Sequence, residues 1–232
     1  MKHNDLEVHS SWRGRTVLVT GLSGFVGAWL ANALLDQGAK VVGIVRSRHP
    51  KPNSITSVDL LELDRRACLV QGSIADYATV ESVIKDHAVD SVFHLAAETI
   101  VGAAKQSPLS FFESNIQGTW NILEAVRNQP RVERVVVASS DKAYGDQPQL
   151  PYTEESTLNG LYPYDASKAC TDILARTYAR TYELPIVVTR LANVYGGADL
   201  NWSRLVPGTI RSILHNENPV LRSDGTAQRD YI

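Results

Sequence analysis

Short β-branched apolar runs alternate with longer amphipathic ones along this chain, and that alternation limits the folds open to it. The segments "TVLVT" (16–20), "KVVGIV" (40–45), "ACLVQ" (67–71), "SVFHLA" (91–96), "RVVVAS" (134–139) and "PIVVTRL" (185–191) read as strands. They are apolar almost throughout, not at every second residue, as expected for a parallel sheet covered on both faces. Helical spacing of apolar residues falls between them, over 25–37, 78–87, 108–128 and 164–182. Parallel strands joined through helices need right-handed crossovers, so the expected class is α/β with a doubly wound parallel sheet. The alternation fails after Tyr195, where "GGADLNWSRLVPG" is rich in Gly and polar residues. The expected organisation is a polar leader (1–14), an α/β domain (15–195) and the start of a smaller, incomplete lobe (196–232).

The formal charge is −2 and the Lys and Arg residues are scattered. This argues against nucleic acid or an anionic membrane as partner and for a small molecule. The opening "MKHNDLEVHSSWRGR" lacks an apolar signal core, and no long uncharged apolar run follows, so a soluble, cytoplasmic protein is expected. Cys68 and Cys170 lie in apolar surroundings without metal-ligand spacing. They read as buried free thiols, with no metal site.

Chemistry enters first with "TGLSGFVG", which places Gly21, Gly24 and Gly27 between the first strand and the first helix. Gly21 permits a tight turn, Gly24 lets backbone amides approach a pyrophosphate, and Gly27 lets the helix press on the strand. In an alternating β/α chain this is a dinucleotide signature. At the end of strand two, "GIVRSRH" offers Arg46 and Arg48 and no acid, which favours the 2′-phosphate of NADP over the free ribose of NAD.

A second motif, "YDASK", puts Tyr164 and Lys168 on one face at the start of a helix. A phenol of ordinary pKa about 10 serves as a base near neutrality only if cations stabilise its phenolate. Lys168 is spaced to do so. Ser140, ending strand five in "SSDKAYG", could share a substrate hydroxyl with Tyr164.

Together with "HLAAE", "NIQGTWNILEA" and "RLANVYGG", these motifs resemble the extended short-chain dehydrogenase/reductase family, in its nucleotide-sugar epimerase and 4,6-dehydratase branch. The resemblance runs from Arg15 to the end. It implies a Rossmann-type NAD(P)-binding fold and a recycled NAD or NADP. The implied reaction oxidises C4 of a nucleotide-linked hexose, of the CDP-glucose kind, removes water across C5 and C6, and returns the reducing equivalents to C6. Tyr164 would act as the C4 base with Ser140 and Lys168, Asp141 as the acid for the leaving C6 hydroxyl, and Lys142 as the C5 base. Related dehydratases carry Glu at that last position. Lys142 must therefore act as a neutral amine, far below its ordinary pKa of about 10.4.

By the same resemblance Ser23, Phe25 and Val26 in the glycine turn, Ser73 and Ile74 after strand three, and Leu95, Ala96, Ala97 and Thr99 after strand four line the cofactor site. Thr99, Asn193, Arg204 and Arg229 meet the substrate, Asn193 also lies near the cofactor, and Tyr195 is cofactor-proximal. Ser73 stands where relatives have an Asp for the adenine. Asn115 occupies an Asn position on the long central helix, and His94 reads as a core residue. The helices 108–128 and 164–182 imply a homodimer. Two other readings stay open: a nucleotide-sugar 4-epimerase, which needs neither Asp141 nor Lys142, and a non-catalytic NAD(P)-binding module. In the bland reading Asp141 and Lys142 are a surface ion pair. The family continues beyond "RDYI" with a further lobe, so part of the nucleotide pocket is expected to lie outside this sequence.

Overall fold

A computed structural model of the chain describes residues 12–47, 55–99, 107–221, 223–226 and 228–232. Six parallel strands form one sheet: β1 (Thr16–Thr20), β2 (Lys40–Val45), β3 (Cys68–Gln71), β4 (Ser91–His94), β5 (Arg134–Ser140) and β6 (Ile186–Leu191). Their spatial order is β3-β2-β1-β4-β5-β6. In register, Leu18 of β1 stands beside Val42 of β2 and Val92 of β4.

Alternate strand residues point to opposite faces, and here both faces find apolar cover. Val17, Val19 and Val41 pack with α1 (Phe25–Asp36) and with Val58 of the short α2 (Ser57–Leu60). Leu18, Val42, Ile44 and Val135 pack on the other side with α3 (Tyr77–Asp86), α5 (Gly118–Arg127) and α6 (Pro163–Tyr182). This two-sided burial is why the strands carry no polar alternation. Cover thins toward the β6 edge, where Val187 is 60% exposed.

Three local outcomes differ from the sequence expectation. The segment 108–128 is not one uniform helix: α4 (Pro108–Phe112) leads into a π turn (Glu113–Gln117) before α5. The Asn115 amide fixes this turn, exchanging hydrogen bonds with the Glu98 backbone and donating to Ser167 Oγ. Its carbonyl accepts from the Thr119 and Thr171 hydroxyls, and such turns recur at functional positions. Beyond Gly196 the chain forms a helix, α7 (Leu205–Leu214), which Pro207 and Gly208 had disguised; Pro is tolerated in a first turn because no intrahelical N–H is lost. The cysteines are not buried. Cys68 is exposed at the start of the edge strand β3, and Cys170 is half-buried. No described helix is long and apolar enough to cross a membrane.

Candidate active site

A cleft of about 690 Å³ opens at the carboxyl ends of the strands. It lies beside the β1–β4 pair, where the strand order reverses and open α/β sheets bind ligands. Gly21 has φ +73°, and a Cβ there would lie 2.8 Å from the Ala96 nitrogen. At Gly27 a Cβ would meet the Gly21 carbonyl oxygen at 2.2 Å, so α1 reaches the strand end only without a side chain. No side chain caps α1 at Gly24, which leaves its first-turn amides available to an anion. Ser23, Gly24, Phe25 and Val26 line this end of the cleft.

Arg46, Ser73, Ile74, Leu95, Ala96, Ala97 and Thr99 line the cleft as well. The Arg46 guanidinium is paired with Glu98 at 2.6 Å, a partner that the sequence reading did not assign. Ser73 Oγ accepts from the Ala75 N–H at 3.2 Å, a local turn contact. Arg48 lies outside the described residues.

All five residues expected to carry the chemistry line the same cleft. Strand β5 delivers Ser140, and a 3-10 turn (Asp141–Tyr144) carries the next two. Ser140 Oγ donates to Asp141 Oδ1 at 3.0 Å and accepts from the Lys142 N–H at 3.2 Å. Lys142 Nζ reaches Asp141 Oδ2 at 3.1 Å, so the two charged residues form an ion pair on the cleft wall. The ion pair of the bland reading is thus present at the end of β5, partly exposed and facing the cleft.

Tyr164 and Lys168 come from the first turns of α6. Burial pushes the Tyr164 phenol above its ordinary range, while interaction with the Ser140 hydroxyl opposes that shift. Lys168 Nζ donates to the Ala138 carbonyl at 2.8 Å, and burial lowers its pKa to about 8.

His94 is a core residue, as the sequence suggested. Its Nδ1 lies 2.7 Å from Thr20 Oγ1 and its Nε2 3.0 Å from Thr119 Oγ1. Thr119 spends its only hydroxyl proton on the Asn115 carbonyl, so Nε2 must donate and Nδ1 accept. Burial, then the nearby Lys168 ammonium, lowers the His94 pKa to about 3. The unfolded chain binds this proton below about pH 6.5 and the folded chain does not. Stability is therefore full above 6.5 and lost as pH falls toward 3. Between about pH 7.5 and about pH 5.5, urea unfolding should reveal a loss of about 1.4 kcal/mol from this group. His94→Gln should flatten that slope; an unchanged slope would assign the loss to other groups.

The outer positions divide. Asn193 and Arg204 line the cleft, with Asn193 Nδ2 donating to the Asp230 carbonyl at 3.0 Å and Arg204 paired at 3.0 Å with buried Asp199. Tyr195 lines it too, edge-on to Tyr231. Arg229 is not brought there: it is exposed and donates to the neighbouring Gln228 carbonyl. The bridge between Asn193 and Tyr231 brings Tyr231 to the cleft instead. Glu98, Asp199 and Tyr231 escaped the sequence reading because isolated residues carry no spacing signal. Only "HLAAE", by ending in Glu98 just past β4, hinted at one of them.

The switch-point cleft, the uncapped glycine turn and the Tyr164–Lys168 pair thus meet at one end of a doubly wound α/β sheet. The chain belongs to the NAD dependent epimerase/dehydratase family, which it matches over residues 17–232. It is 30% identical over 222 residues to the CDP-glucose 4,6-dehydratase of Salmonella typhimurium, covering 91% of this chain and 61% of that protein. To the dTDP-glucose 4,6-dehydratase of Mycolicibacterium smegmatis it is 33% identical, covering 93% of this chain and 64% of the relative. The chain thus spans about three fifths of these relatives' length. A dTDP-glucose 4,6-dehydratase from Streptomyces venezuelae, solved with NAD and TYD bound, superposes with TM-score 0.80 at 32% identity, covering 94% of this chain and 67% of that one. The UDP-glucose 4-epimerase of Thermotoga maritima, solved with UDP-glucose, gives TM-score 0.83 at 27% identity, covering 94% and 69%.

Proposed function

We propose that this chain carries the catalytic half of an NAD-dependent nucleotide-sugar 4,6-dehydratase acting on a CDP-glucose-like substrate. The observation that carries this reading over the epimerase alternative is the Asp141–Lys142 pair on the cleft wall, in the same cleft as Tyr164. An epimerase has no use for an acid and a base at that place. Dehydratase relatives from two nucleotide classes support the same reading.

The glycine turn fits a dinucleotide pyrophosphate, because the two positions where a Cβ would collide are held by glycine. Bound NAD supplies a reversible two-electron acceptor. The ion pair of Arg46 with Glu98 favours NAD over NADP, since a 2′-phosphate would have to displace Glu98. Denaturing the purified protein and identifying the released nucleotide tests this choice.

Tyr164 takes the proton of the C4 hydroxyl, with Ser140 sharing that hydroxyl and Lys168 supporting the phenolate. The C4 ketone then acidifies C5–H. The resting pair already holds the single proton that elimination needs. Passage of that proton from Lys142 Nζ to Asp141 Oδ2, along the 3.1 Å hydrogen bond, yields a neutral amine and a neutral acid. Substrate that expels water favours this neutral pair, because desolvation disfavours charge. The amine then takes the C5 proton and Asp141 protonates the departing C6 hydroxyl.

A panel of sugar nucleotides followed by mass spectrometry tests the assignment. Loss of water supports dehydration, an epimer of unchanged mass supports the rival, and cofactor binding without any product supports a non-catalytic module. Lys142→Met should leave C4 oxidation detectable and abolish exchange of the C5 proton with solvent deuterium. Persistent exchange would remove Lys142 from the mechanism.

Pairing of two chains through α4, α5 and α6 belongs to the same proposal. Leu109, Phe112, Trp120, Ile173 and Tyr182 are exposed there, and sedimentation should give twice the chain mass.

A further inference from the structure

Lys142 lines two cavities. Besides the cleft it borders a second space of about 340 Å³, enclosed by the segment that follows the 3-10 turn and by the start of α6. Asp165 lies on that second wall, in the first turn of α6, and is only 8% exposed. Among the described residues no hydrogen bond or ion pair holds its carboxylate. The charged groups acting on it are Lys142 and Asp141 from the 3-10 turn and Asp146 from the following segment. Tyr152 and Tyr162 complete the titratable lining, and Tyr164 and Lys168 share its helix. Burial raises the Asp165 pKa, Lys142 opposes the rise, and Asp141 and Asp146 add to it. A helix N-terminus alone would favour an acid there, but it would not need one on the cavity that Lys142 borders.

We propose that Asp165 is a positioning residue for Lys142, and that the cavity they share is the route by which the C5 proton held on Lys142 exchanges with water. This rests on the dehydratase reading of the cleft. As the C5–H bond breaks, the Nζ lone pair forms N–H and the C–H electrons stay on the sugar as the enolate. With Asp141 engaged as the acid, the new ammonium turns to Asp165. There one N–H bond breaks, an Oδ–H bond forms, and the amine is restored. Asp165 exchanges its proton with water in the second cavity and returns one to Lys142, which protonates C5 as C6 is reduced.

The test is turnover in D₂O with isotope analysis of C5 in the product, counted per product molecule so that a slower enzyme does not change the value. In the wild type the ammonium exchanges before it returns a proton, so C5 carries deuterium almost completely. In Asp165→Asn the captured proton stays on Lys142 among three equivalent hydrogens, and protium retention should rise to about one third. Asp165→Glu should restore the wild-type value. Unchanged isotope content in Asp165→Asn would overturn the proposal. A second measurement needs no substrate: the Asp165 carboxyl, followed by ¹³C NMR, should titrate at higher pH in Lys142→Met. A midpoint that does not move would sever Asp165 from Lys142. A moved midpoint in a chain that dehydrates no nucleotide sugar would instead sink the dehydratase reading, and the exchange role with it.

Discussion

Tyr164→Phe is expected to slow C4 oxidation by about 10²–10⁴-fold while leaving the fold and cofactor binding intact. The phenol is buried, and its pKa is raised by that burial, so its proton cannot be lost to water unaided. In the proposed mechanism Lys168 supplies the compensating charge, but it is itself buried, and burial lowers its pKa to about 8. Its support for the phenolate should fade as pH rises through that value. Lys168→Met should then remove most of the C4 oxidation rate and also the alkaline fall. The effect on stability runs the other way. The folded pKa of Lys168 is about 8 against 10.5 ordinarily, so the unfolded chain binds the extra proton between those values, and stability rises with pH across them. Below pH 8 the buried ammonium costs about 3 kcal/mol, which Lys168→Met recovers in part. Single-turnover absorbance of the reduced nicotinamide, with urea unfolding of the same variants, checks both signs. A less active and less stable Lys168→Met would contradict the burial argument.

The largest stability effect is expected at Asp172, which does not line the cleft. Its side chain is fully buried in α6 and accepts Arg190 Nε at 2.7 Å and Arg176 Nε at 2.8 Å. Arg190, from β6, also donates to Tyr144 Oη at 2.8 Å and to the Glu154 carbonyl at 3.0 Å. Its guanidinium lies over the Tyr144 ring. Asp172 thus holds α6, β6 and the 3-10 turn of Asp141 and Lys142 in one arrangement. Asp172→Asn leaves a nearly buried guanidinium without its counter-charge and should cost about 3–5 kcal/mol. For a chain of this size that lowers the melting temperature by about 10 °C. The double variant Asp172→Asn with Arg190→Met should lose less than the sum of the two single changes, because the only charge then left without its partner is Arg176, which is 57% exposed. Strict additivity would show that the two groups do not act as a pair.

The two sites differ in how visible they are in sequence. The glycine turn and the Tyr164–Lys168 pair show because their chemistry needs fixed local spacing: a glycine at every third residue, and a step of four along a helix. Strands β1 to β6 show for a similar reason, since burial on both faces forces unbroken apolar runs. The π turn at Asn115 does not show, because it is fixed by Glu98 and Ser167, distant in sequence. Helix α7 was hidden by Pro207 and Gly208, whose cost depends on where in a helix they fall. Cys68 was misjudged because its apolar neighbours say nothing about β3 lying at the sheet edge.

What the sequence by itself determined is the class of fold, the dinucleotide turn and the identity of the groups that could move protons. All of these rest on periodicities and motifs within about thirty residues of one another. Only the tertiary structure decided what those groups pair with. It put Arg46 on Glu98, Lys142 on Asp141 and Arg204 on Asp199, it left Arg229 outside the cleft, and it set Asp165 on the cavity that Lys142 borders. Two of those arrangements, Arg46 on Glu98 and Asp165 beside Lys142, join residues distant in sequence that meet only once the sheet has formed. The strength of each depends on distance and burial, which no spacing along the chain encodes.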